Sequence, residues 1–126
     1  ISPAYYDKDM LTDKSMRFLV SEIIREKILL RYEKEIPYST EVMVEEYLEG
    51  ENLNKIRAVI FTERESQKRI IIGQGGNQIK KIGIEARKDI EEFTSKKCFL
   101  ELFVKVKKDW RNSERDLQNF GYDQKK

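Results

Sequence analysis

Histidine is absent from this 126-residue chain, and cysteine occurs once, at Cys98. Without an imidazole there is no Ser-His-Asp triad, no Cys-His pair and no histidine metal site. A lone cysteine forms neither an intrachain disulfide nor a multi-cysteine zinc cluster, and it fits a reducing compartment. No run of about 18 apolar residues exists, so the sequence offers no membrane-spanning helix. No signal peptide is visible. Nothing matches GxxxxGK[ST] or GxGxxG, so both of these glycine-rich nucleotide loops are missing.

What remains is a chain of one domain's length, since single domains most often run to about 100–150 residues. Hydrophobic residues make up 39% and charged residues 38%, with a net charge of +2. That balance excludes a disordered polymer. The small total hides an asymmetry. Residues 1–65 carry 10 basic and 14 acidic side chains, whereas residues 66–126 carry 15 and 9. A basic second half can attract polyanions, although runs of Lys and Glu are equally common on ordinary solvated faces. The chain begins at Ile1 rather than Met, which reads as a piece of a longer protein.

Residues 1–11 read as irregular. Thr12 or Asp13 can cap a helix from Ser15 to about Lys34, with an apolar stripe of Met16, Leu19, Val20, Ile23, Ile24, Ile28 and Leu29. Pro37 is expected to end that element. Val42 and Val44 begin a strand, a loop at Glu49–Asn54 makes a hairpin, and Ile56, Ala58 and Ile60 face inward on a second strand. Cys98, Leu100, Leu102, Val104 and Val106 alternate with Phe99, Glu101, Phe103, Lys105 and Lys107, predicting a third strand. Between them, Ile79, Ile82, Ala86, Ile90 and Phe93 step by three and four, predicting a helix that ends near Thr94. The residues of Gln67–Ile72 leave two options open: a strand, from three β-branched residues in a row, or a short helix capped by Ser66 and stopped by Gly73. A further short helix is expected after Ser113, with Leu117 and Phe120 as apolar contacts. These elements predict an α+β domain, a three-stranded sheet with helices on one face.

The chemical signal is Gly73-Gln74-Gly75-Gly76. Glycines allow a tight turn and close approach of another backbone. The first N–H groups of the following helix attract anions. Lys80 and Lys81 follow within about one turn, so the segment can hold a sugar-phosphate strand without reading its bases. A plain turn is the competing reading of a lone GxxG.

In context the pattern resembles the KH family of RNA-binding domains: Ile71-Ile72-Gly73-Gln74-Gly75-Gly76, then Ile79. The resemblance extends from about Asp7 to Tyr122 and is to the C-terminal domain of the Era family of bacterial GTPases. It is carried by Ser21–Lys27, Ile36-Pro37-Tyr38-Ser39, Glu63-Arg64-Glu65 with Gln67-Lys68, Ile82–Lys88, Leu100-Glu101-Leu102 and Val104–Lys107, then by Trp110, Glu114, Leu117 and Gly121-Tyr122. It implies a type II KH fold, α-β-β-α-α-β, and hence a helix for Gln67–Ile72. It implies one domain with a core at about residues 12–108 and a tail carrying the short helix at about 113–120.

It further implies binding to single-stranded RNA at the 3′ end of 16S ribosomal RNA during assembly of the small ribosomal subunit, in the cytoplasm. The implied contacts are Ile72, Gly73, Gln74, Gly75, Gly76, Ile79 and Lys80; Lys81 and Arg87 are added as basic residues of the same helix. The parent's GTPase domain, with GTP and Mg, would precede Ile1, so this chain is expected to hold no cofactor and to catalyse nothing. Its other expected partners are that GTPase domain and the small subunit, with peripheral contact at the inner face of the cell membrane as a further possibility. A KH-like protein-interaction module that has lost RNA is the alternative, and a small hydrolase is the remotest reading. Two departures stand out. The loop's variable pair, Gln74-Gly75, has no basic residue, which shifts weight to Lys80 and Lys81. Phe103 stands where the family often has Trp.

Other residues read more blandly. Gly83 interrupts a helix at about 1 kcal/mol relative to Ala and reads as a close packing contact. Phe99 and Phe103 can stack on bases but read as cover for the open sheet face or as a partner-domain contact. Lys105, Lys107, Lys108 and Arg111, near Trp110, read either as a solvated edge or as a run that attracts phosphate or a membrane surface. Glu45 and Glu46 point to opposite strand faces, so they make no acid-base pair. Cys98 reads as a small core hydrophobe.

Overall fold

Met16, Val20, Ile24 and Ile28 recur every four residues, and this row draws the first helix, α1 (Asp13–Arg31), onto the core. The computed structural model describes residues 13–33 and 35–107. After α1 come a short helix α2 (Glu35–Tyr38), strands β1 (Thr40–Leu48) and β2 (Leu53–Thr62), and helix α3 (Glu65–Ile72). A 3-10 turn (Gln74–Gly76), the long helix α4 (Asn77–Thr94) and strand β3 (Lys97–Val106) complete the order. The expected α-β-β-α-α-β order is present, with α2 as an insertion. The expected irregular start, the helix after Ser113, and Lys108, Trp110 and Arg111 lie outside the described residues.

The sheet order is β1-β2-β3. β1 and β2 pair antiparallel across the hairpin, while β2 and β3 pair parallel. A parallel partner needs a long crossover, and α3 with α4 supplies it. β2 is therefore central, and Ala58, Val59 and Ile60 are all fully buried. Ile24, Ile28, Ile56, Ile60, Ile71, Ile82 and Ile90 fill the space between sheet and helices. Each such side chain contributes about 1.5–3 kcal/mol on full burial. Cys98 packs among them at 4% exposure. Burial pushes its thiol up to about 11, so it stays protonated at neutral pH.

Four local expectations are corrected. Leu29 is 60% exposed, not part of the buried stripe. The α1 helix ends at Arg31, and Pro37 sits inside α2 rather than ending α1. Proline is tolerated there because a first-turn N–H has no helical acceptor to lose. Ser66 does not cap α3. Arg64 occupies the cap position, and the Gln67 side-chain oxygen accepts from the Glu63 and Arg64 N–H groups at 3.1 and 2.9 Å. Finally, β1 does not alternate throughout. A bulge between Val44 and Glu46 turns Tyr47 onto the core face. Arg17, off the apolar stripe of α1, donates to the Val44 and Glu45 carbonyls at 3.2 Å each. The backbone groups released by the bulge are thus satisfied by a side chain 27 residues away.

Candidate nucleic-acid interface

Ile71 is fully buried at the end of α3, and the Tyr32 hydroxyl donates to its carbonyl at 2.8 Å. This anchors the chain just before the glycines. Gly73 closes α3 by donating its N–H to the Arg69 carbonyl at 2.9 Å. Its φ of 78° and ψ of 175° lie in a region that only glycine occupies readily. Gly75 and Gly76 also have positive φ, 63° and 78°. Gly76 donates to the Gly73 carbonyl at 3.2 Å, and Asn77 to the Gln74 carbonyl. The chain thereby reverses in four residues and enters α4 with Gln74 and Gly75 exposed at the tip.

No side chain caps the start of α4, and its first turn holds no acid. The partial positive charge of an 18-residue helix is therefore left for an outside anion. Beside the loop runs a groove of about 310 Å³. Ile79, Lys80, Gly83, Ile84 and Arg87 line it from α4, and Phe99, Leu100 and Leu102 from β3. An anion-attracting rim thus adjoins an apolar trough with two cations along its wall.

Among the expected contacts, Gly73, Gln74, Gly75 and Gly76 form the loop, while Ile79, Lys80 and Arg87 line the groove. Ile72 is half-buried at the end of α3 and packs against the core, outside the groove. Lys81 is not brought to the groove. One position further round the helix, it is in line with Glu85 and Lys88, and Glu85 pairs with Arg31 of α1 at 2.6 Å. Of the two lysines, only Lys80 lines the groove.

Sequence reasoning missed Ile84, Leu100 and Leu102. The spacing of Lys80, Gly83, Ile84 and Arg87 was the available signal: i, i+3, i+4 and i+7 put an apolar residue and a glycine on a cationic face. Phe99 departs from its expected place by lining the groove. Phe103 keeps its place on the open sheet face at 44% exposure, beside buried Val59 in register and with the Arg57 guanidinium 6.0 Å from its ring centre. Lys105 is exposed, and the Lys107 ammonium lies 5.9 Å from the Phe61 ring centre.

The family profile of the KH domain matches residues 35–111. The chain is a KH domain. It is 54% identical over 124 residues, 97% of its length, to the GTPase Era of Syntrophus aciditrophicus, and 47% identical over 118 residues to that of Xylella fastidiosa. The chain spans 40% of the length of these curated relatives. Among solved structures, Era from Aquifex aeolicus bound to GDP and AlF4 superposes with a TM-score of 0.81 at 38% identity, covering 93% of this chain and 40% of that one. Era in complex with MgGDPNP and nucleotides 1506–1542 of 16S ribosomal RNA gives the same TM-score, identity and coverage. The likeness to Era thus extends over nearly the whole chain.

Gly83 of this KH domain is not the tight packing contact its sequence suggested. A Cβ there would meet only Leu102 Cδ1, at an ordinary 3.7 Å. Its missing side chain instead opens the groove between Lys80 and Arg87. Gly83→Ala should therefore raise helix stability by up to about 1 kcal/mol. The methyl group should at the same time narrow the trough. A melting curve and an RNA titration on the same protein check this: melting temperature should rise while affinity falls. A lowered melting temperature would restore the packing role.

Proposed function

We propose that this KH domain binds single-stranded RNA, with the Gly73–Gly76 backbone holding sugar-phosphate and the groove on α4 and β3 taking the bases. One observation carries the reading. The uncapped, glycine-opened start of α4 lies directly against an apolar groove walled by Lys80 and Arg87. KH loops of this kind clamp about four backbone nucleotides. Lys80 and Arg87 stand seven residues apart, about 10 Å along the helix, which suits contact with separate phosphates of one strand.

The proposed target is the 3′ end of 16S ribosomal RNA during assembly of the small subunit, with this chain as the RNA-binding part of an Era-like GTPase. The solved Era complex with nucleotides 1506–1542 supports that choice. GTP and Mg would belong to the remainder of such a protein, and this part binds without turnover. No helix among the described residues is long and apolar enough to cross a membrane.

A competition titration tests the reading, setting the ribosomal 3′-end sequence against scrambled RNA of equal length across a salt series. Preference for the ribosomal sequence is expected. The slope of log affinity against log salt should be about −0.7 per phosphate neutralised, and Lys80→Ala should reduce its magnitude by about that amount. Equal affinity for both RNAs would leave generic polyanion binding. No saturable binding would end the proposal.

A further inference from the structure

Phe99 is 51% exposed and stands outside the cluster of side chains that fills the core. It leaves β3 on the face opposite the buried Cys98. β3 is an edge strand of the sheet, so the ring also borders the groove. The strand runs back along α4. Leu102 Cδ1 lies 3.7 Å from where a Cβ on Gly83 would stand, and the Cys98 N–H donates to the Glu91 carboxylate at 2.9 Å. Phe99 is therefore at the level of Arg87 to Glu91, at the end of the groove away from the glycine loop. Along the helix axis, Arg87 is about 16 Å from Gly76.

A single exposed ring is ordinary on a protein surface, and it is the surroundings that distinguish this one. The other two phenylalanines of the same sheet face are occupied: Arg57 lies 6.0 Å from the Phe103 ring centre and Lys107 lies 5.9 Å from that of Phe61. Among the described residues no cation lies over the Phe99 ring. Cations flank it instead, Arg87 on the groove wall and Lys55 beside it in register on β2. Neither has an ion-pair partner among the described residues. The carboxylates alongside are engaged. Glu101, two residues on along the same face, pairs with Arg57 at 3.4 Å, and Glu91 holds the Cys98 N–H.

We propose, resting on the single-stranded RNA reading, that Phe99 stacks a base of the bound strand where it leaves the groove, with Arg87 and Lys55 on the phosphates to either side. Two unpaired cations around an apolar ring suit the alternation of phosphate and base along one strand. A ring accepts any base by its π-face, so this position adds affinity without sequence preference. It extends the footprint beyond the roughly four nucleotides that a KH loop clamps. Base reading then belongs to the groove and the added grip to its far end.

The test uses the full 126-residue chain and fluorescein-labelled single-stranded RNA of the ribosomal 3′-end sequence, with each nucleotide in turn replaced by an abasic one. Phe99→Ala should weaken binding of the unmodified RNA about 5- to 150-fold. Its slope against salt should stay unchanged, because no phosphate contact is lost. One abasic position should cost the parent chain a similar factor and cost Phe99→Ala nothing more, while a change of base there should matter to neither. Phe99→Trp should keep the affinity. Phe99→Leu, which preserves apolar bulk without a ring, should lose it and melt close to the parent chain. An affinity of Phe99→Ala within about twofold of the parent would overturn the proposal, since a stacked base is worth more than that. So would parent-like binding by Phe99→Leu, or an abasic scan that Phe99→Ala leaves unaltered at every position. Failure of the parent chain to bind the unmodified RNA is a separate result, which would end the RNA reading itself and this proposal with it.

Discussion

Replacing Gln74 and Gly75 together with aspartate is expected to abolish RNA binding at physiological salt while the domain stays folded. Both residues are exposed at the loop tip. Gly75 has φ 63° and ψ 17°, and nothing lies within 4 Å of where its Cβ would stand. Aspartate is among the side chains best tolerated in that left-handed region, so the fold cost is small. The functional cost is large for two additive reasons. Each carboxylate near a bound phosphate contributes a repulsion of about 1 kcal/mol in fully solvated surroundings and up to about 4 kcal/mol at a protein surface. Each also satisfies the positive start of α4 from within, competing with the phosphate for the same N–H groups. A combined loss of about 2–5 kcal/mol is roughly 30-fold to several thousand-fold in affinity. Fluorescence anisotropy with labelled RNA, paired with a melting curve, reads both halves. An affinity within about threefold of the parent chain would remove the loop from the site.

Gly73→Ala is expected to have the largest effect on the fold itself. At φ 78° and ψ 175° the backbone sits where a Cβ costs about 1–3 kcal/mol. Space is short as well. The added carbon would stand 2.6 Å from Asn77 Oδ1 and from Gln78 Cγ, and 2.8 Å from Gln78 Cβ. Relief requires moving the first turn of α4, the turn that presents the anion site. Melting temperature should fall by roughly 5–15 °C, and RNA affinity should fall with it. Gly75→Ala is the control. It has open space and only the left-handed backbone cost, about 1–2 kcal/mol. Equal melting temperatures for the two variants would mean that the crowding at Gly73 does not matter.

Much of this was legible in the residues because it depends on local spacing. The alternation from Cys98 to Val106 and the three-and-four steps from Ile79 to Phe93 each report one face of one element, and both elements form as read. The glycine loop was legible for the same reason. Gln67–Ile72 was not, because three consecutive β-branched residues favour a strand while the burial of Gln67 and Ile71 suits a helix. Only the family resemblance separated these readings. The bulge in β1 was hidden because its carbonyls are satisfied by Arg17, a partner no local window contains. The groove was half legible. Its α4 wall follows from helical spacing, and the separation of Lys80 from Lys81 is one step of rotation on that helix. Its other wall, Phe99, Leu100 and Leu102, exists only after β3 reaches the sheet.

That last dependence governs when the site comes into being. The parallel pairing of β3 with β2 sets Thr62 against Val106 and Ile56 against Leu100. Contacts so far apart in the chain carry a high closure cost and form slowly. During synthesis, α3, the glycines and α4 all emerge before the strand that completes the trough. A growing chain that stops short of Leu102 has the anion-binding turn and no place to lay a base. Under the proposed reading, RNA capture waits for the last strand, because β3 supplies the trough's second wall.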